Sequence, residues 1–217
     1  MAQAAQQRRA AKPTQAERGG RTQAERRDDA ERRILVAAAE LVGEQGFEAL
    51  TLAQVGDRAG CSRGLPSHYF RTKEDLLSAL GTFIVEAFVE RRYRSAEGLI
   101  GFEALSSSIR HYLQPPQQNA KTVRAFHAVL AGAIHMPVLA ATVARLNKEA
   151  RADIATRLRE GIDSGHARSD IDPEIEAALI LATLRGAIAQ WLLDPEGVDL
   201  PRMADRLLSN LQKDPGR

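Results

Sequence analysis

The stretch AGCSRGLPSHYFRTK, residues 59–73, concentrates side chains that can bind a polyanion. Arginine and lysine pair with phosphate, histidine and tyrosine donate hydrogen bonds to it, and an arginine can also bind the edge of a guanine. The side chains of these kinds are Arg63, His68, Tyr69, Arg71 and Lys73. This set is suited to binding nucleic acid.

The residues around this stretch predict two short helices joined by a tight turn. Thr51 with Gln54 three residues later forms a capping box that starts one helix, and Gly60 is placed to end it in a left-handed conformation. Ser62 is the expected cap of the next helix. Together with a longer helix that begins near Asp28, this arrangement is typical of a helix-turn-helix, in which Gly56 supplies the small residue required where the helices cross.

The second of these helices begins with two residues that are unfavourable inside a helix. The absent side chain at Gly64 lets the backbone approach DNA, because such a helix enters the major groove by its N-terminal end. Pro66 is the fourth residue after Ser62, where the backbone N–H would make the first helical hydrogen bond. We therefore expect a 3₁₀-like or shifted start to this helix.

The run ILVAAAELVGEQGFEALTLAQVGDRAGCSRGLPSHYFRTKEDLLSAL, residues 34–80, resembles the TetR family of transcriptional regulators. It has the family's apolar first helix, the Gly-Phe pair before the capping threonine, the Ala-Gly-x-Ser turn, the helix 3 glycine, the aromatic pair and the following lysine. The resemblance implies a dimeric DNA-binding protein, usually a repressor, that is released by a small ligand bound in the remaining two-thirds of the chain.

The pattern and the resemblance together give a set of expected DNA contacts. The resemblance implies that Thr51 and Lys73 bind phosphate and that residues 63–65 lie nearest the bases. Many members have a leucine and an aromatic residue where this chain has Pro66 and Ser67, so that Ser67 can replace only the hydrogen bond of the missing tyrosine. The expected DNA-binding residues are Thr51, Arg63, Gly64, Leu65, Ser67, His68, Tyr69 and Lys73.

Composition favours an all-α protein of about nine helices. Of the 217 residues 44% are hydrophobic but only 5% are aromatic, and helical patterns follow one another beyond residue 30. The expected organisation is a disordered basic arm (1–27), a three-helix helix-turn-helix head (28–78) and a helical effector-binding and dimerisation domain (79–217). One cysteine, no signal peptide and no evident membrane span indicate a cytoplasmic protein without membrane contact.

The predicted arm is basic and repetitive. Residues 1–27 carry seven basic and two acidic side chains, and TQAER occurs twice, at 14–18 and at 22–26. Such a segment cannot bury apolar surface. Contact with DNA and a purely solubilising role both remain open.

The eighth predicted helix, residues 173–193, is apolar nearly all round. One side is expected to face the core and another a second subunit, with burial inside one subunit as the alternative. A dimer would set two heads about one helical turn of DNA apart, roughly 34–36 Å. The expected interface residues are Leu181, Leu184, Ile188, Trp191 and Leu192.

The site for a small-molecule effector is marked only weakly. Two histidines lie eight residues apart on one predicted helix, near other polar and aromatic side chains, and all of these could equally be core or interface residues. The candidates are His111, Tyr112, Arg124, His127 and His135. The spacing predicts no metal site and no cofactor. A helical enzyme or carrier that uses a histidine base, and a DNA-binding activator, are the alternatives.

Overall fold

A computed structural model describes residues 22–116 and 120–212 as an all-α protein, which confirms the predicted fold class. Within these ranges no strand occurs, and one isolated bridge joins Ala167 to Gln212. The helices of the described ranges are α1 (Gln23–Gln45), α2 (Leu52–Arg58), α3 (Leu65–Tyr69), α4 (Lys73–Ser95), α5 (Gly101–Tyr112), α6 (Ala120–Gly132), α7 (Pro137–Asp163), α8 (Pro173–Leu193) and α9 (Leu200–Leu211).

The first helix begins earlier than the sequence analysis predicted. The Thr22 hydroxyl accepts a hydrogen bond from the backbone N–H of Glu25 at 3.2 Å, and the Glu25 carboxylate accepts one from the backbone N–H of Thr22 at 2.6 Å. This reciprocal capping box satisfies two backbone donors at once. Asp28 therefore lies inside α1, and the assignment of residues 22–27 to the arm is wrong. The remainder of the predicted arm, residues 1–21, lies outside the described residues.

The turn between α2 and α3 has the predicted geometry. Thr51 caps α2 through a capping box with Gln54. Gly60 has a φ of 66°, in the left-handed region that favours glycine. A Cβ added to Gly56 would lie 2.9 Å from the carbonyl oxygen of Ser62, so the turn passes directly over this glycine. The need for a very small residue at this crossing is confirmed.

Helix α3 starts two residues later than a Ser62 cap would require. Gly64 is its N-cap without a side-chain hydrogen bond, and the backbone N–H of Leu65 donates to the Ser62 carbonyl at 2.9 Å. Pro66 thereby occupies the first turn of α3, where a missing N–H removes no helical hydrogen bond. The expected shift of the helix start is confirmed.

The head shares its hydrophobic core with the larger domain. One cluster of buried side chains combines α1, α2 and the first half of α4 with Phe126 of α6 and Leu146 of α7. A second cluster is formed by α5, α7, α8 and α9. The boundary expected between residues 78 and 79 therefore crosses the middle of the first cluster. Helix α6, which packs along α1, connects the head to the rest of the chain.

Helix α8 is more apolar than the sequence analysis allowed. Its 21 residues are long and hydrophobic enough to cross a membrane by length and composition, contrary to the expectation that no segment approaches this limit. A core helix of a soluble protein meets the same criterion. Asp172 caps α8 by accepting hydrogen bonds from the backbone N–H groups of Glu174 and Ile175.

Candidate DNA-binding face and effector cavity

The surface formed by the turn and α3 presents polar side chains outward and holds Pro66 inward. Arg63, Gly64, Ser67 and His68 are exposed. Leu65 and Tyr69 are half-buried, while Pro66 and Phe70 are buried. Because Pro66 points into the head, it leaves the outer side of α3 open to a ligand. This part of the expected contact set, residues 63–69, thus forms one continuous face.

Arg63 is held in position by Asp57 of α2. Its Nε donates to the two carboxylate oxygens of Asp57 at 3.0 and 3.1 Å, and this pair raises the pKa of Arg63. The Arg63 side chain remains 75% exposed. Among the described residues none bonds to its two terminal nitrogens, which are the atoms that bind a guanine edge or a phosphate in parallel.

Lys73 contacts the backbone just before the beginning of α2, which Thr51 caps. The Lys73 ammonium, at the first residue of α4, donates to the carbonyl oxygen of Glu48 at 3.3 Å, three residues before Thr51. The Thr51 hydroxyl accepts from the Gln54 N–H at 3.3 Å and donates to the Gln54 side chain at 2.9 Å. A phosphate at this point would be met by the lysine charge and by the positive end of a short helix.

Arg27 is a member of this face that the sequence analysis missed. Its guanidinium lies 6.0 Å from the centre of the Tyr69 ring, so the first turns of α1 reach the recognition helix. The Thr22–Glu25 capping box was the available signal, because it extends α1 far enough to bring Arg27 to Tyr69.

A charged contact joins the head to α6. Glu44 of α1 binds Arg58 of α2 at 2.8 Å and Lys121 of α6 at 2.7 Å. These hydrogen bonds, first to Arg58 and then to Lys121, lower the pKa of Glu44 to about 2. Next to it, a Cβ added to Gly43 would overlap the Lys121 carbonyl oxygen. The two helices therefore touch backbone to backbone at the point where α6 begins.

A small internal cavity lies among α4, α5, α6, α7 and α8. Its volume is about 30 Å³, close to that of one water molecule. Phe88 and Phe126 stack at 3.9 Å, and Tyr112 meets Phe88 edge-on at 5.4 Å. The lining residues are Phe88, Val89, Tyr112, Phe126, Leu146, Ala150, Ile154, Leu181, Leu184 and Arg185.

Two polar groups of the cavity, the Tyr112 hydroxyl and the Arg185 guanidinium, lie close enough to influence each other, and no described carboxylate joins them. The Tyr112 hydroxyl is buried and makes no hydrogen bond to a described residue, and burial raises the pKa of Tyr112 to about 12. The nearby charge of Arg185 opposes only part of that effect. Burial also lowers the pKa of Arg185, and no described carboxylate pairs with its guanidinium. The sequence analysis did not select Arg185, although it is the single charged residue between Glu176 and Asp194.

The five effector candidates are only partly brought together. Tyr112 lines the cavity, and the half-buried His127 lies beside it, with its ring 6.0 Å from that of Phe126. Burial, and then the charge of Arg185, lowers the pKa of His127 to about 4. His111 is half-buried but does not line the cavity. Arg124 and His135 are exposed on and after α6 and do not line this cavity. Eight-residue spacing keeps His127 and His135 only roughly on one face, and the second lies beyond the end of the helix.

The expected dimer residues also require correction. Leu181, Leu184 and Ile188 are buried within their own subunit, and Trp191 and Leu192 pack half-buried against the same cluster. These residues face α7 and α9, which cover this side of α8. The uncovered side carries instead the exposed residues Ile175, Ala178, Leu179, Ala182, Ala189 and Leu193.

Metal binding and thiol chemistry gain no support from the described part of the chain. No group of three or more His, Cys, Asp or Glu side chains is placed there to hold a metal ion. Cys61 is half-buried, and its thiol donates to the Gly56 carbonyl oxygen at 3.4 Å.

Two family models match the chain and divide it at α4. Residues 34–80 match the model described as bacterial regulatory proteins, tetR family, and residues 102–213 match that of the BetI-type transcriptional repressor, C-terminal. A similar protein is the fatty acid metabolism regulator protein of Bacillus subtilis, 23% identical over 190 residues, which covers 82% of this chain and 91% of that protein.

Solved structures share the fold. A transcriptional regulator from Saccharomonospora viridis in complex with choline superposes with a TM-score of 0.78 at 20% identity, covering 86% of this chain and all of that one. FadR from Bacillus subtilis in complex with stearoyl-CoA gives a TM-score of 0.66 at 21% identity, covering 82% and 95%. With the exposed helix-turn-helix face and the two matching models, the chain belongs to the TetR family of DNA-binding transcriptional regulators.

Proposed function

We propose that the protein is a homodimeric repressor that binds a two-fold symmetric DNA site and leaves it when a small-molecule effector binds among α4–α8. The observation that carries the proposal is the placement of Arg63. Asp57 fixes its Nε, and its terminal nitrogens are exposed beside Gly64, where the absent side chain lets a base edge come close. An arginine held in this way loses little freedom when it binds a guanine.

Contacts to the DNA backbone would set the orientation of α3 in the major groove. Lys73 and the start of α2 offer a charge and helix N–H groups to one phosphate. Ser67 and His68 are exposed on α3 and supply further hydrogen bonds, and Tyr69 adds its hydroxyl. Arg27 beside Tyr69 extends the positive surface toward the flank of the site. Together these contacts account for affinity, while residues 63–65 provide base discrimination.

The exposed side of α8 is the proposed dimer interface. Ile175 and Leu179 are 61% and 54% exposed, and their α8 neighbours Ala182, Gly186 and Ala189 are small. An uncovered apolar stripe on this scale is unfavourable in water and is typical of a protein–protein contact. The small residues would allow two copies of α8 to cross closely. Each copy would then hold its head at a fixed distance from the other.

The effector would act by separating helices that are now in contact. A cavity of about 30 Å³ is far below the roughly 300–1,000 Å³ of ordinary ligand sites, so a ligand must move its walls. Phe126 belongs to α6, which also meets α1 at Gly43 and Glu44. A ligand that displaces Phe126 would therefore shift α6 against the head. The affinity for DNA would fall by the factor by which the ligand binds the displaced state more tightly than the DNA-binding state.

Related regulators differ widely in the molecules they hold, since the solved structures above contain choline in one case and stearoyl-CoA in the other. Family membership therefore leaves the effector open. Action on DNA would require the protein to lie in the cytoplasm. A catalytic role has no observation in its favour, and activation of transcription is a possible outcome of the test below.

Selection from randomised duplex DNA with the purified full-length protein tests the proposal. At near-physiological salt, sequencing of the bound pool should recover a two-fold symmetric site. The Arg63→Ala variant should lose preference at one base pair of each half-site, whereas Arg71→Ala, a matched exposed arginine on the same segment, should keep it. Sequence-blind, salt-sensitive binding by the wild type would refute the proposal. A reporter that carries the recovered site then separates repression from activation.

A further inference from the structure

We propose that the effector of this protein carries an anionic group, of the carboxylate type, on an apolar body, and that Arg185 binds that group inside the cavity. The inference rests on the proposed function, because it names the chemical class of the molecule that the effector cavity takes. It is drawn from the charges and contacts of the cavity.

Arg185 is a cation without a counter-ion. It lies on α8 among Phe88, Phe126 and Leu184, and no carboxylate of the described residues 22–116 and 120–212 pairs with it. Besides Tyr112, the charge that influences Arg185 is that of Arg151, which is also cationic. A buried charge that is not paired is unfavourable, and it becomes favourable when an anion neutralises it. Because Arg185 is half-buried and no described carboxylate lies beside it, its side of the cavity favours a negatively charged group.

Tyr112 provides a second polar anchor at the same place. Its buried hydroxyl makes no hydrogen bond of normal geometry to a described residue and is influenced only by the nearby Arg185, although buried hydroxyl groups are nearly always bonded. Its protonated state lets it donate a hydrogen bond to an anion. A carboxylate has two oxygens, so one can accept from the arginine and the other from the tyrosine.

An organic cation is the main competing ligand class. Three aromatic rings line the cavity, and aromatic faces can bind a quaternary ammonium group. The rings of Phe88 and Phe126, however, stack with their centres 3.9 Å apart, so the two ring faces between them are closed to a ligand. Arg185 would repel a second positive charge, and Arg151 nearby adds to that repulsion.

Space for the apolar body adjoins the cavity. A groove of about 780 Å³ runs between α4 and α7, and Val89 and Leu146 line both the groove and the cavity. Rotation of these two side chains would join the spaces into one. The groove also carries four glutamates and two arginines, all exposed, whose charges are screened by solvent. The half-buried Arg185, which solvent screens less than these exposed charges, therefore decides the sign of charge that is accepted.

Three probes with the same twelve-carbon chain separate the ligand classes: dodecanoate, dodecanol and dodecyltrimethylammonium. Binding to the purified full-length protein is measured by titration calorimetry below the micellar concentration of each probe. Dodecanoate should bind about 10- to 100-fold more tightly than either other probe, the range expected for a charge-assisted hydrogen bond. Equal or tighter binding of the cationic probe would overturn the inference.

Variants test the role of Arg185 itself. Arg185→Gln should lose most of the preference for dodecanoate, Arg185→Lys should retain it in part, and the exposed Arg124→Gln should leave it unchanged. If Arg185→Gln does not fold, Tyr112→Phe provides the second test, with a smaller loss confined to the carboxylate probe. Unchanged selectivity in the folded variants would overturn the inference.

Operator binding distinguishes this inference from the proposed function. If dodecanoate binds through Arg185 but leaves DNA affinity unchanged, the proposed ligand class is supported and the proposed release of DNA by the effector is refuted. If DNA is released by dodecyltrimethylammonium independently of Arg185, release stands and the ligand class fails.

Discussion

The stability of the protein should fall as the pH is lowered from 7 to 5, chiefly because of His127. Burial against Phe126 and the adjacent charge of Arg185 lower the pKa of His127 from 6.5 to about 4 in the folded state. The unfolded chain therefore binds a proton to this residue at pH 5, whereas the folded chain does not. Since the unfolded state binds more protons, acidification favours it.

The magnitude follows from the two pKa values of His127. The pKa of His127 is 6.5 in the unfolded chain and about 4 in the folded one. Proton linkage then lowers the free energy of unfolding by about 2 kcal/mol between pH 7 and pH 5. Burial also lowers the pKa of His111, which acts in the same direction. Carboxylates contribute little in this window because most of their protonation takes place at lower pH.

Urea denaturation followed by circular dichroism at both pH values, at one protein concentration, measures this loss. His127→Leu should remove most of the pH dependence and leave the smaller share of His111. His68→Gln, a change at an exposed histidine of α3, should keep the full dependence. A wild-type loss below about 0.5 kcal/mol, or an equal loss in His127→Leu, would refute the electrostatic account of this cavity.

Three further changes test the packing and the proposed interfaces. Gly43→Ala should destabilise the protein by roughly 1–3 kcal/mol in urea denaturation, because the added methyl group overlaps the first carbonyl groups of α6, whereas Gly64→Ala, in open space, should not. Lys73→Ala should weaken DNA binding about equally for all sequences and reduce the salt slope by about one, whereas Arg63→Ala should cost roughly 1–3 kcal/mol and relax base preference. If the exposed stripe of α8 forms the proposed dimer interface, Leu179→Glu should yield a monomer in sedimentation velocity, because it places a charge in that stripe.

Each of these changes has an outcome that contradicts its premise. A Gly43→Ala protein as stable as the wild type would show that α1 and α6 can separate freely. Salt slopes that are identical in Lys73→Ala and the wild type would remove the lysine from the phosphate contact. For the dimer, Ile134→Glu serves as a matched control at another exposed apolar residue, and monomers in both variants, or in neither, would exclude α8 as the specific interface.

Helix caps were predictable from the sequence because their hydrogen bonds are local. Thr51 forms with Gln54 the capping box that was expected at the start of α2. The start of α1 was misplaced because Thr22 and Asp28 both resemble caps and each has a glutamate three residues later, whereas the reciprocal pair forms at Thr22 and Glu25. The sequence therefore allowed two starting points for α1, and the helix begins at the one whose cap forms two reciprocal hydrogen bonds.

The faces of α8 could not be assigned from the sequence. A helix that is apolar on nearly every side has no polar stripe to show which side is covered, so Leu184 and Leu179 are indistinguishable until the positions of α7 and α9 are known. The same limit applied to the cavity. Arg185 stands alone in an apolar helix, which is a visible signal, but its proximity to Tyr112 arises from the packing of two helices that are distant in the sequence.

The hydrophobic cluster that spans the head and α6 has a consequence for modularity. A recombinant head cut after residue 78 would lose Phe126 and Val129, the side chains that cover its inner surface. If heads were exchanged between relatives at this boundary, the head of one protein would pack against the α6 side chains of another. The two sides of the hydrophobic cluster would then not be complementary. A chimera that transfers α6 and the first half of α7 along with the head keeps both sides of the cluster from one parent, and the recombination unit is then discontinuous in the sequence.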